Sequence, residues 1–124
     1  SIMAQPGASS VFFGGSVAYN TKKAKKLLLD DDELHKRLLS ASSKHNNTVL
    51  SGSSSSSEAD AYIGSKLDWT AQTSVAFCKA LDTDFCIAEG GAAGPTFRPK
   101  GLETGFAAIA IAGRGPDGTV KLLK

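Results

Sequence analysis

Between Glu89 and Thr96 the chain reads Glu-Gly-Gly-Ala-Ala-Gly-Pro-Thr. Three glycines and two alanines leave almost no side-chain bulk, so a ligand can approach the backbone closely. Successive N–H groups in such a loop can form an anion-binding concavity. Gly90, Gly91, Gly94, Pro95 and Thr96 are therefore the candidate ligand-binding residues, and Arg98 and Lys100 follow them as positive charge. The residues alone leave a second reading open, a tight connection that binds nothing. His35 and His45 stand apart without a visible catalytic partner. Cys78 and Cys86 lie in apolar stretches and read as buried free thiols, with too few neighbouring ligands for a metal site.

Two apolar runs must position the loop. Phe85-Cys86-Ile87-Ala88 enters it and Gly105–Ala112 leaves it, and both read as strands, the second covered on both faces. Before them, Leu67, Ala71, Val75, Cys78 and Leu81 fall on one helical face, widened by Trp69, Ala76, Phe77 and Ala80, and Asp82-Thr83-Asp84 ends that helix. After them, Gly113–Gly118 is a turn into Thr119–Leu123, which closes a hairpin. Earlier in the chain, Ser1–Gln5 reads as a helix tail stopped by Pro6-Gly7, and Ser16–Tyr19 as a strand. Asn20 or Thr21 caps a lysine-bearing helix to about Leu28, and Asp30–Asp32 starts a short helix with Leu34, Leu38 and Leu39 on its apolar face. The expected fold class is α/β, with a mixed sheet carrying an antiparallel edge.

The 124 residues make one domain, 41% apolar and 21% charged. The net charge of +2 is too small to argue for nucleic acid, and Lys22-Lys23-Ala24-Lys25-Lys26 is offset at once by Asp30-Asp31-Asp32-Glu33. No apolar run is long enough to span a membrane. The chain opens Ser1-Ile2-Met3 without a signal peptide, which suggests a processed product or a fragment, compatible with an organellar protein that has lost its targeting peptide. From Ser40 to Asp60 the periodicity vanishes into serine-rich, low-complexity sequence. That segment, about 40–60, reads as an insertion. As an extended arm it would offer hydroxyls, Lys44, Glu58 and the Val49-Leu50 anchor to a protein partner.

Four pieces stand in one order: Pro6-Gly7-Ala8-Ser9-Ser10 leading to Gly14-Gly15-Ser16-Val17-Ala18-Tyr19, the lysine helix, the loop Gly91-Ala92-Ala93-Gly94-Pro95, and the strand from Gly105. This order resembles the competence/damage-inducible CinA C-terminal domain, the nicotinamide-nucleotide amidase family, over nearly the whole chain except the insertion. The resemblance implies a three-layer α/β/α sandwich that hydrolyses the carboxamide of nicotinamide mononucleotide, releasing ammonia, with a serine nucleophile and no cofactor. Tyr19 matches the tyrosine ending the family's first strand. Lys25 is the nearest match to the lysine after it, one position off register, and would act as base or charge stabiliser if burial lowered its pKa. The same lysines otherwise read as a solvated face.

The departures matter as much. The family's nucleophile lies in a Glu-Ser-x-Thr-Gly-Gly segment that these residues do not contain, so the domain is expected to be truncated at the front. Ser9 and Ser10 match structural positions only. Gly90 replaces the threonine of the family's Thr-Gly-Ile-Ala-Gly-Pro loop, and Leu102-Glu103-Thr104-Gly105 replaces Lys-Pro-Val-Gly. These departures and the serine-rich arm favour a non-catalytic, CinA-like accessory or structural subunit of a larger assembly. The alternatives are an amidase whose nucleophile segment is missing from this chain, and a domain that keeps pyridine-nucleotide binding without chemistry.

Overall fold

The computed structural model describes residues 1–18, 23, 31–33, 36, 55–92 and 105–124. Two single-turn 3-10 helices, Ile2–Ala4 and Ala8–Ser10, open the chain. Lys23, Asp32, Glu33 and Lys36 have helical backbone; the remainder of the two helices expected there lies outside the described residues. Helix α1 spans Ser55–Ala80, followed by strands β1 (Phe85–Ala92), β2 (Phe106–Arg114) and β3 (Val120–Leu122). The strands pair in the order β1-β2-β3 and α1 packs on one face, so the architecture is α/β.

Both pairings are antiparallel among the described residues: Phe85 faces Gly113 through to Ala92 facing Phe106, and Ala112 faces Leu122. The expected hairpin is present, closed by Gly115 N–H to Thr119 O (2.9 Å) and Gly118 N–H to Gly115 O (2.9 Å). Gly118 takes φ 79°, a turn conformation that favours glycine.

Four expectations are corrected. Ser16–Ala18 has no regular structure and Val17 is 92% exposed. A strand needs a neighbour for its N–H and C=O groups, and no described strand lies beside these residues. Ser55–Asp60, assigned to the serine-rich insertion, instead begins α1, where Ala59 is buried. Extending an existing helix is cheap beside nucleating one, so serine content there does not stop it. Residues 40–54 of that segment lie outside the described residues.

The buried face of α1 is not the one its leucines mark. Ala59, Thr70, Thr73, Ser74 and Cys78 are buried, whereas Leu67 and Leu81 are exposed. The facing sheet surface explains this: Ala108, Ala110 and Ala112 of β2 are all buried there and leave room only for small helix residues. Thr73 and Ser74 satisfy their hydroxyls on their own helix, at Trp69 O and Ala71 O, both at 2.8 Å. The core centres on Cys78, Ala112 and Val120, with Val75 and Cys86 packed against it. Lastly, β2 is not covered on both faces by described residues: Ile109, like Phe85 and Ile87 of β1, is exposed on the side away from α1.

Candidate functional site

The glycine loop begins later than its composition suggests. Glu89, Gly90, Gly91 and Ala92 continue β1, paired with Ile109, Ala108, Ala107 and Phe106. A strand persists wherever a partner takes its backbone groups, whatever its side chains. Gly90 and Gly91 are therefore strand residues: Gly90 stands at a hydrogen-bonded position opposite Ala108, and Gly91 at a non-hydrogen-bonded one opposite Ala107. Gly94, Pro95 and Thr96, and the two residues suggested for catalysis, Tyr19 and Lys25, lie outside the described residues. Ser9 and Ser10 are exposed in the Ala8–Ser10 turn.

What Gly90 does is packing. It sits on the face toward α1, and a Cβ there would stand 2.6 Å from Thr70 Oγ1. Thr70 is buried, and its hydroxyl has no hydrogen-bond partner among the described residues. A buried hydroxyl left unpaired costs roughly 1–3 kcal/mol.

Thr70 belongs to a stripe at i, i+4 spacing with Tyr62 and Lys66, and such residues share one helix face. Lys66 is half-buried, and no ion pair joins it to a described carboxylate. Its Nζ lies 5.6 Å from the centre of the Tyr62 ring, within cation–π range. The Tyr62 ring meets Phe106 edge to face at 6.4 Å. Burial lowers the Lys66 pKa, opposed by the Glu89 carboxylate, and burial raises that of Tyr62. No hydrogen bond joins Lys66 to the Thr70 hydroxyl, so the two are not arranged as base and nucleophile. The cluster sets one ammonium, two rings and a fully buried hydroxyl near the carboxyl end of β1. Its only sequence signal was the spacing of Tyr62, Lys66 and Thr70, which apolar periodicity does not weigh.

An open hollow of about 470 Å³ under the β2–β3 turn is lined by residues including Phe85, Arg114, Asp117, Lys121 and Leu123. Its Arg114 is already engaged: Nε, Nη1 and Nη2 donate to Thr83 O, Gly118 O and Cys78 O, and Nη2 pairs with Asp82 at 3.1 Å. This hollow reads as a structural clamp.

Both cysteines are free: Cys78 is buried, as expected, with its Sγ 3.1 Å from Thr83 O, and Cys86 is half-buried. Burial and then the Cys78 thiol push the Cys86 pKa up, which makes it a poor nucleophile near neutral pH. Among the described residues no group of His, Cys, Asp and Glu could hold a metal ion, and no helix is long and apolar enough to cross a membrane. Comparison with protein-family models, curated proteins and solved structures found no match for the chain.

Proposed function

We propose that the chain is a CinA-like domain that binds a pyridine-nucleotide-like ligand without hydrolysing it, acting as a non-catalytic accessory. The supporting observation is the Tyr62–Lys66–Thr70 stripe opposite the carboxyl half of β1, whose buried Thr70 hydroxyl has no hydrogen-bond partner among the described residues. Rings with a few polar groups nearby suit a planar base. The amidase alternative needs a nucleophile and base in contact, and Lys66 and the Thr70 hydroxyl are not hydrogen-bonded.

The finer architecture belongs to the same proposal: a three-layer α/β/α sandwich with a mixed sheet. Phe85, Ile87 and Ile109, exposed by 62–70%, form the kind of apolar surface that a further layer covers. The accessory-subunit reading draws on the same surface, with a partner chain as the cover. Arm residues 40–54 remain a proposed contact only.

The test is direct. Nicotinamide mononucleotide added to this chain should quench or shift the fluorescence of Trp69, which lies in α1 between Lys66 and Thr70. Ammonia should stay at background. Saturable ammonia release would restore the amidase. Absence of binding by both fluorescence and calorimetry would remove the ligand-binding proposal.

A further inference from the structure

We infer that the outer face of the sheet docks a second copy of this chain, face to face across a twofold axis, with Glu89 of each copy meeting Lys121 of the other. This rests on the accessory-subunit reading and identifies the partner as the chain itself.

Side chains alternate along a strand, so the register gives the residues that face away from α1. On β2 they include Ile109, Ile111 and Gly113, since Ala108, Ala110 and Ala112 are buried toward the helix. Phe85, Ile87 and Glu89 of β1 stand opposite Gly113, Ile111 and Ile109. Lys121 of β3 stands opposite Gly113 from the other side. Leu123 lies on the same face: a Cβ built at Gly113 would meet Leu123 Cδ1 at 2.6 Å and Phe85 Cε1 at 3.2 Å. Phe85, Ile87, Ile109, Ile111 and Leu123 thus form one apolar surface, and all but Ile111 are largely exposed. A contiguous surface of this kind marks a place where something docks.

Charge selects the occupant. The outward positions of β1, β2 and β3 carry two charges, Glu89 and Lys121, both exposed. They stand at opposite corners: Glu89 flanks Ile109 on one side of β2, and Lys121 flanks Gly113 on the other. Neither has an ion-pair partner among the described residues, and Lys66 feels the charge of Glu89 without pairing with it. A face with one charge of each sign at opposite corners of an apolar centre is complementary to itself. A twofold axis in the interface, at right angles to the Glu89–Lys121 line, sets each Glu89 over the other copy's Lys121 and closes two ion pairs at once. The strands of the two sheets then cross steeply, as in orthogonal sheet packing. The open hollow over Gly113 lies beside Lys121 and leaves room for the approaching side chain. Three strands about 4.8 Å apart and about seven residues long give a footprint of roughly 300 Å². That is small beside the roughly 800 Å² per partner of a stable complex, so the dimer belongs with weak, exchanging contacts.

Sedimentation velocity of the full chain, from about 1 μM to about 1 mM, should show monomer passing into dimer, and added salt should weaken the dimer. Glu89→Lys and Lys121→Glu should each weaken it about tenfold, because each sets like charges together twice. Mixed in equal amounts, the two variants should associate again, since every facing pair is then of opposite sign. Circular dichroism establishes that each variant is folded. A chain that stays monomeric throughout would overturn the inference, and so would a mixture that restores nothing. In a monomer, Ile109→Asp shows what else fails: a Tm lowered by many degrees assigns the face to the chain's own third layer and removes the partner-chain cover too. An unchanged Tm overturns the self-contact alone and keeps the accessory-subunit reading with a different partner.

Discussion

At the scale of single residues, the chain depends on side chains that are small or absent. Gly90 admits the Thr70 hydroxyl, and threonine in a helix is stiff at χ1, so that oxygen cannot swing aside freely. Gly90→Ala should therefore destabilise the fold by about 1–3 kcal/mol, the usual cost of overpacking. Adding Thr70→Ala should recover most of the loss. Urea denaturation of the two single variants and the double variant measures this, and purely additive losses would show that the two positions do not touch. Asp117 acts by charge and geometry instead. Its Oδ1 accepts the Thr119 N–H at 3.0 Å, and that bond holds its carboxyl below the usual 3.8. The unfolded chain then binds the proton more readily than the folded one, so stability falls as pH drops through 3.8 and below. Asp117→Asn should flatten the acid limb of a plot of Tm against pH. Parallel limbs for the two proteins would refute the role.

At the scale of elements, the junction between α1 and β1 is the tightest construction described. Asp82 takes φ 50°, a left-handed position without glycine. Thr83 N–H returns to Cys78 O at 3.2 Å and Asp82 N–H to Lys79 O at 3.3 Å, the paired bonds of a Schellman cap. Arg114, from the far end of β2, donates to Cys78 O and Thr83 O and pairs with Asp82, so a cation sits at the negative end of the helix. Asp82 is largely exposed, so the ion pair itself contributes little; the bonds to carbonyls matter more. Arg114→Met should cost about 2–3 kcal/mol in chemical denaturation. Arg114→Lys should recover little of it, because a lysine lacks the planar fork that reaches three carbonyls at once. Full rescue by lysine would mean that charge alone matters.

At the scale of the whole molecule, the outer face of the sheet decides between the two covers. If the chain's own third layer lies on Ile109, then Ile109→Asp buries an unpaired charge and should lower stability by several kcal/mol. If a partner covers it, the isolated chain should keep its Tm within a few degrees. Thermal unfolding of the purified variant separates the two, and an unchanged Tm would count against the three-layer sandwich.

The residues themselves determined everything that depends on near neighbours. Gly115-Pro116-Asp117-Gly118 set the turn because turn chemistry is local, and the alternation after it set β3. The spacing from Leu67 to Leu81 marked a helix, and Asp82-Thr83-Asp84 marked its end. Tertiary structure decided what depends on a facing surface. Glu89–Ala92 became strand because Phe106–Ile109 lie across from it, a pairing that glycine and alanine cannot announce. Helix α1 buried Thr70, Ser74 and Cys78 rather than its leucines because the sheet beneath is alanine and glycine, and two smooth surfaces approach closely. The same approach turned Gly90 from a candidate ligand contact into the seat of Thr70. It also brought Lys66 to the end of β1, since a side chain's neighbours there come from strands more than twenty residues away.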